Sequence, residues 1–372
     1  MSEQKLMKSG LSTNAVKRIC AVLTEIVDDF PSQSFTDDAL KDLDDLELKQ
    51  RVAYLIDVLA GYLPPDFEKT ANILLQVKQH WDWGDENDAL SGFAAWPLID
   101  YVAVHGLYNP ALALAVLKEL TPLFSAEFAV RPFITEHFDV SYEILLAWTL
   151  DSDEHVRRLA SEGIRPRLPW GKHLVQFCDD PDAIFPILER LKDDSSLYVR
   201  KSVANNLNDI AKDNPDKVIA LCENWNQVAT SERKWIIRQA LRSLVKEGRE
   251  EVFPLLGYSE QVQLTIRSFE LKNKIICLGE SLDIELLLSS STEKTQKLIV
   301  DYKIHHVKAN GSTTSKVFKW KNITLHGGQQ LSLNKRHPFK LITTRKYYPG
   351  EHSLELLING KTFATQVFKL ML

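Results

Sequence analysis

A ten-residue pattern recurs along this chain at a fixed spacing, and it constrains the fold more than any other feature. Asp151-Ser152-Asp153-Glu154-His155-Val156-Arg157-Arg158-Leu159-Ala160 aligns with Asp194-Ser195-Ser196-Leu197-Tyr198-Val199-Arg200-Lys201-Ser202-Val203 at an offset of 43 for every position. Ser231 to Gly248 repeats the pattern more loosely, with Leu244 matching Leu207, and Phe128-Ala129-Val130-Arg131-Pro132-Phe133 carries an abbreviated Val-Arg version. A unit of about 40–47 residues is the period of HEAT-type helix pairs, in which each unit buries its apolar face only against its neighbours. The expected result is a curved, right-handed stack of antiparallel helices with one concave face.

The segments on either side of the repeats differ in texture. Before them, Ala15 to Val27, Leu46 to Tyr62, Asp66 to Gln79, Ala94 to Val104 and Ala111 to Leu120 show apolar residues at helical spacing. Beyond Gly257 the periodicity changes to two. Runs such as Leu282 to Leu286, Leu298 to Ile304, Lys316 to Trp320 and Ser353 to Ile358 are separated by Asn310-Gly311, Gly327-Gly328 and Asn359-Gly360. Asn-Gly between strand-like runs is a hairpin signal, because both residues tolerate positive φ. About seven short strands, with Tyr348-Pro349-Gly350-Glu351-His352 resembling a tyrosine corner, predict an immunoglobulin-like sandwich. The fold class is therefore an all-α HEAT-like solenoid over 1–257 followed by an all-β sandwich over 258–372.

Composition narrows the function. Cys20, Cys178, Cys222 and Cys277 are scattered without metal-ligand spacing, which argues against zinc, iron-sulfur and redox chemistry and for reduced core thiols. The serine-hydrolase Gly-x-Ser-x-Gly, the phosphate loop and the Gly-x-Gly-x-x-Gly fingerprint are all absent. No cofactor or metal is expected. Met1 to Gly10 has no apolar run behind its charges, and no stretch approaches the ~20 apolar residues of a membrane span. A cytoplasmic, monomeric protein without a membrane partner is the expectation.

The net charge of -5 conceals an asymmetry: residues 1–100 carry 9 Lys+Arg against 18 Asp+Glu, while 261–372 carry 17 against 8. Positive charge also collects on repeat faces, at Arg157, Arg158, Arg165, Arg200 and Lys201. Lys234, Arg238, Arg242 and Lys246 recur at steps of four with no acidic residue among them. Like charges at i, i+4 destabilise a helix by a few tenths of a kcal/mol per pair, so an uncompensated row suggests an external anion. A solvated face is the alternative.

The stretch Ser161-Glu162-Gly163-Ile164-Arg165-Pro166-Arg167-Leu168-Pro169-Trp170 places a carboxylate, two guanidiniums and an indole at the end of the first repeat helix. Val156, Leu159, Ala160 and Gly163 form its apolar stripe, Arg158, Glu162 and Arg165 share another face, and Pro166 closes the helix. Taken alone, this is also what a helix ending in a proline-rich turn with a core tryptophan would look like.

Three stretches together carry a family resemblance: residues 125–133, with Ser125, Glu127, Val130 and Arg131; residues 161–170; and Val199-Arg200-Lys201-Ser202-Val203-Ala204-Asn205-Asn206-Leu207-Asn208-Asp209. In this order they resemble the AlkC branch of the AlkC/AlkD alkylation-repair DNA glycosylases over the helical 250 or so residues, and the sandwich resembles the extension of some AlkC members. The resemblance implies a DNA glycosylase of base excision repair, acting in the bacterial cytoplasm and nucleoid on double-stranded DNA with cationic N3-alkylated bases. Those bases are chiefly 3-methyladenine and 3-methylcytosine, excised without flipping. Such a base is already a good leaving group, so the help is needed by the sugar as it gains oxocarbenium character and by the water that captures it. Glu162 and Asp209 take that role, with Glu127 as a third carboxylate, and Trp170 packs on the sugar or the cationic base. Arg158, Arg165, Lys201, Lys234, Arg238 and Arg242 are the candidate phosphate contacts. The alternative is a non-catalytic HEAT-repeat scaffold that binds damaged DNA or a protein partner.

Overall fold

Apolar stripes at helical spacing produce helices nearly where the sequence places them. The computed structural model describes residues 6–343 and 345–372. The first twelve helices are α1 (Thr13–Ile26), α2 (Ser32–Leu40), α3 (Leu48–Tyr62), α4 (Phe67–Leu74), α5 (Trp96–His105) and α6 (Pro110–Leu120), then α7 (Arg131–Glu136), α8 (Phe138–Trp148), α9 (Glu154–Glu162), α10 (Val175–Asp179), α11 (Phe185–Leu191) and α12 (Leu197–Ile210). The helix expected to run from Asp66 to Gln79 ends at Leu74 and resumes as a 3-10 turn over Val77–His80.

The 43-residue repeat is visible as duplicated local chemistry. Helices α8 and α9 form one pair and α11 and α12 the next, with α9 packed along α12. Asp153 caps α9 by accepting from the His155 amide at 2.8 Å, and Ser196 caps α12 by accepting from Tyr198 at 3.1 Å. Asp151 accepts from the Asp153 amide as Asp194 does from Ser196. Arg157 donates to the carbonyls of Asp151 and Ser152, and Arg200 to those of Asp194 and Ser195. Arg157 also forks onto both oxygens of Asp194, at 2.6 and 3.1 Å, tying one repeat to the next. Beneath these caps Val156, Leu159 and Ala160 pack with Val199, Val203, Leu207 and Ile210, all buried. Burial of each leucine contributes about 1.5–3 kcal/mol.

The chain divides into two compact units, the first ending at Asn214 and the second beginning at Pro215. Among the described residues the second holds α13 (Pro215–Asn226), α14 (Ser231–Ala240), α15 (Arg242–Glu247) and α16 (Val252–Leu255), followed by eight strands. These are β1 (Leu264–Leu271), β2 (Ile275–Cys277), β3 (Ser281–Ser290), β4 (Gln296–Val307), β5 (Thr313–Leu325), β6 (Gln330–Pro338), β7 (Gly350–Ile358) and β8 (Lys361–Met371). They form two sheets, β1-β3-β6 and β2-β8-β7-β4-β5, antiparallel except where the three-residue β2 runs parallel to β8. Their inward residues, among them Ile284, Leu286, Val300, Tyr302 and Leu356, make one core. Asn359 and Gly360, at φ 43° and 75°, make the two-residue turn that pairs Ile358 with Lys361. A Cβ on Gly360 would lie 2.4 Å from the Cα of Gly248, so glycine is required where the turn after α15 meets the β7–β8 turn.

Three sequence expectations are corrected here. The basic row from Lys234 to Lys246 is not one helix face: Leu241 departs from α geometry, so Arg242 and Lys246 sit on the separate α15. Tyr348 engages His352 through its carbonyl, 3.1 Å from Nε2, while the buried tyrosine is Tyr347. Cys277 is exposed rather than in the core, and all four thiols are free.

Candidate active site

Helix α9 ends at Glu162, where the chain approaches another segment closely. A Cβ on Gly163 would stand 2.5 Å from Val130 Cγ1, so glycine alone lets the end of α9 meet the residue that precedes α7. Ser161 and Glu162 are thereby buried against α12. Ser202 Oγ lies 2.6 Å from Glu162 Oε2 and 2.9 Å from Ser161 Oγ, and Asn206 Nδ2 donates to the Ser161 carbonyl at 2.7 Å.

Two guanidiniums bind three carboxylates into one cluster. Arg165 donates through Nη1 to Glu162 Oε1 at 2.6 Å and through Nε to Asp209 Oδ2 at 2.8 Å, with Nη2 2.7 Å from the same oxygen. Arg158 donates through Nη1 to Glu127 Oε2 at 2.9 Å and to Ser125 Oγ at 2.7 Å, and its Nη2 is 3.4 Å from Glu162 Oε1. Lys212 donates to the other oxygen of Asp209 at 2.9 Å. The Arg158 guanidinium also lies over the Tyr198 ring, 4.7 Å from its centroid. Burial opposes the charge of Arg158 and Arg165, but the neighbouring carboxylates outweigh it and both pKa values are raised. Both guanidiniums are permanently charged partners for Glu162.

Arg131 holds the loop that follows. Its Nη1 donates to the carbonyls of Gly163 and Arg165, both at 2.9 Å, and its Nε donates to the Lys172 carbonyl at 2.8 Å. Burial, and then the like charge of Arg165, push its pKa down to about 10. At the tip of this loop Trp170 adopts a left-handed backbone, φ 65°, a conformation costly for any residue but glycine. Lys49 donates to the Trp170 carbonyl at 2.9 Å, and the indole is 60% exposed, so it is presented outward rather than packed in the core.

Between these parts lies a cleft of about 330 Å³. Glu127, Glu162 and Arg165 form its charged lining, and Phe93, Trp96, Phe124, Phe128 and Trp170 its aromatic lining. Trp96 stacks with both Phe124 and Phe128, with ring centroids 5.1 and 5.8 Å away and each pair of planes tilted by 24°. The arrangement sets an anionic, arginine-braced edge against a rigid aromatic wall. That combination suits a group that is flat and acquires positive charge.

Comparison with known proteins gives one answer along the whole chain. The DNA alkylation repair enzyme family matches residues 124–244, and the C-terminal Ig-like domain of the uncharacterised protein YhaZ matches residues 265–372. The uncharacterized protein YhaZ of Bacillus subtilis (strain 168) is 38% identical over 334 residues, 90% of each chain. The Pseudomonas fluorescens alkylpurine DNA glycosylase AlkC, solved bound to DNA containing an abasic site analog, superposes with a TM-score of 0.91 at 37% identity. That match covers 99% of this chain and 100% of the other. The chain belongs to the AlkC family of DNA alkylation repair proteins.

Within this AlkC-family fold, Glu127, Glu162, Arg158, Arg165 and Trp170 come together around the cleft, and Asp209 joins them through Arg165. Arg158 and Arg165, expected at phosphates, face carboxylates instead, and Arg165 is 6% exposed. Arg157 is likewise engaged in stapling one repeat to the next, and Arg200 in closing the loop before its own helix. Lys201, in register with Arg158, is exposed on α12. Lys234 and Arg238 are exposed on α14 of the second unit, and Arg242 donates to the Gln239 carbonyl at 2.5 Å. Sequence reasoning gave no site role to Ser202, Arg131, Trp96 or Phe128. For Ser202 a signal existed, because a hydroxyl stands where the first repeat has Leu159. Among the described residues no helix is long and apolar enough to cross a membrane, and no group of three or more His, Cys, Asp or Glu could hold a metal.

Proposed function

We propose that the chain is a DNA glycosylase of base excision repair that hydrolyses the N-glycosidic bond of cationic N3-alkylated bases, 3-methyladenine and 3-methylcytosine, without flipping them. The observation that carries this reading is the convergence of Glu127, Glu162 and Asp209 on Arg158 and Arg165 at the edge of an aromatic cleft, in a member of the AlkC family. Residues 1–257 carry the reaction in this reading, and 258–372 form the appended sandwich domain.

The C1′–N bond of a cationic base breaks with its electron pair going to the base, which leaves neutral, so no general acid is required. Positive charge moves to the sugar. Arg165 and Lys212 pair with Asp209, while the carboxylates of Glu127 and Glu162 line the cleft. In a partly dry cleft, carboxylates that face the sugar stabilise the oxocarbenium ion. Glu162 and Glu127, which line the cleft, orient the water whose oxygen bonds to C1′, and its proton passes to one of these carboxylates; Asp209 acts with Glu162 through their shared Arg165. Trp170 packs on the sugar or the cationic base. Ser202 and Arg165 fix both oxygens of Glu162, so the charge is aimed before substrate arrives. Lys201, Lys234, Arg238 and Arg242 are the proposed phosphate contacts. Arg158 and Arg165 act chiefly as braces for the carboxylates.

The test is release of free base from methylated duplex DNA by wild type and by Glu162→Gln, with binding of both measured at low and moderate salt. Release by wild type alone supports the reading. Salt-sensitive binding with no release by either protein overturns the reaction and favours a non-catalytic damage-binding protein.

A further inference from the structure

Carbonyl capture holds the loop that carries Trp170 at both of its ends. Arg131 takes the carbonyls of Gly163 and Arg165 at the start and that of Lys172 at the finish. The Leu174 amide donates to the Pro166 carbonyl at 3.0 Å and the Gly171 amide to that of Leu168 at 3.1 Å, which closes the loop on itself. The tip is held differently. Its carbonyl, that of Trp170, accepts at 2.9 Å from Lys49, an exposed residue in the first turn of α3 and 121 positions away in the chain.

This last bond reaches across open space. A cavity of about 480 Å³ is lined by Lys49, Val52 and Ile56 of α3 and by Trp170, Gly171 and Lys172 of the loop, so the two segments face each other without packed side chains between them. Trp170 meanwhile holds a left-handed backbone, φ 65°, that an L side chain adopts only when its surroundings impose it. Its indole, 60% exposed, has little packing of its own to do so. The peptide between Trp170 and Gly171 is planar, so a donor that fixes its carbonyl fixes ψ of Trp170 and the direction in which the side chain leaves the loop. A charged donor does this more strongly than a neutral one. Trp170 lines the cavity as well as the cleft, so a loop released from Lys49 has room to carry the indole away from the cleft.

We propose that Lys49 is a positioning residue for the reaction: its ammonium latches the Trp170 carbonyl, maintains the left-handed backbone and keeps the indole at the cleft before DNA arrives. The inference rests on the glycosylase reading above and adds to it a residue of α3 outside the carboxylate cluster.

The experiment compares full-length wild type, Lys49→Met and Lys49→Arg. Methionine keeps an unbranched stem without the charge, and arginine restores a charged donor. Single-turnover release of base from methylated duplex should fall about tenfold in Lys49→Met and recover in Lys49→Arg. In a Trp170→Ala background Lys49→Met should lower the rate no further, because the latch acts through the indole. The slope of log K against log salt on undamaged duplex should stay as in wild type. A slope reduced by about one, or an equal fall in both backgrounds, would make Lys49 a phosphate contact and overturn the proposal, as would an unchanged rate in Lys49→Met. Labelling with 5-fluorotryptophan reports the indole without DNA: the resonance that Trp170→Ala removes should shift in Lys49→Met and return in Lys49→Arg. An unchanged resonance overturns the latch whatever the rates. A wild type that releases no base overturns the reaction and Lys49's part in it, while the resonance still decides whether the latch exists.

Discussion

Ser202 Oγ lies 2.6 Å from Glu162 Oε2, joining the second of two successive repeats to the last helical residue of the first. In the 43-residue register Ser202 occupies the position of Leu159, and both are buried. The repeat therefore places a core leucine in one copy and a hydrogen-bond donor aimed at a carboxylate in the other. Asn206 follows the same logic: it stands where the first repeat has Gly163, and its amide reaches the Ser161 carbonyl. At this interface the departures from the repeat, rather than the repeat itself, build the site.

Replacing Ser202 with Ala removes that donor and leaves Glu162 Oε2 without it, at an expected stability cost of about 1.5–3 kcal/mol for a buried bond to a charged acceptor. Alanine fits the space, so the fold should persist. The expected outcome is a single-turnover rate of base release about tenfold lower, with binding to undamaged duplex unchanged. Ser202→Thr, which restores a hydroxyl, should recover part of the rate. A merely structural role would leave Ser202→Ala near the wild-type rate once it is folded.

Arg165 is the shared partner of Glu162 and Asp209, both about 4% exposed. Arg165→Gln leaves two buried carboxylates without their main counter-charge, and removal of one partner from such a cluster costs about 3–5 kcal/mol. Urea denaturation should show that loss. Addition of Asp209→Asn to Arg165→Gln should recover more than half of it, because the second change removes the uncompensated charge. Additive losses in the double variant would mean that Arg165 stabilises the protein chiefly by packing.

The exposed cations Lys201, Lys234 and Arg238 are expected to act on phosphates and on nothing else in the reaction. Each replacement by Ala should reduce the slope of log K against log salt by about one, and weaken alkylated and undamaged duplex alike. Arg158→Ala should differ in kind, lowering base release more than binding, because its guanidinium holds Glu127 at 2.9 Å. Fluorescence anisotropy at two salt concentrations distinguishes the two classes.

How much of this was legible depended on whether the partner lay nearby in sequence. The repeat period and the Asn359-Gly360 turn follow from local periodicity and turn chemistry, and they appear as expected. The arginines were harder. Arg157 and Arg200 recur at 43 residues because each closes the loop before its own helix, yet recurrence of positive charge on a face looks the same as a phosphate track. Arg158 and Arg165 needed knowledge of which carboxylates lie opposite, across separations of 31 and 44 residues. Trp170 was located in sequence, but its left-handed backbone was not, since nothing in the residues before it requires positive φ. Trp96 and Phe128 belong to segments far from Trp170, and only the packed fold makes them one wall.

The sandwich carries a separate, acid-sensitive feature. His306 is buried beside Phe339 and Tyr347, and both of its ring nitrogens are without a hydrogen-bond partner among the described residues. Burial, and then the charge of Arg345, push its pKa down to about 3; burial lowers His337 to about 4 and also lowers His352. Each is neutral in the folded sandwich and takes up a proton near the ordinary value of about 6.5 once unfolded. The stability they contribute is therefore complete above that value and is lost as pH falls from about 6.5 toward the folded values. Between pH 7 and pH 5 the loss from His306 should be about 2 kcal/mol. Thermal melts across that range should show the sandwich transition moving down. In His306→Phe, which fills the site with a ring that cannot ionise, the transition should move less, with the remaining dependence belonging to His337 and His352. Equal pH dependence in wild type and variant would mean that His306 can be protonated within the folded sandwich without cost.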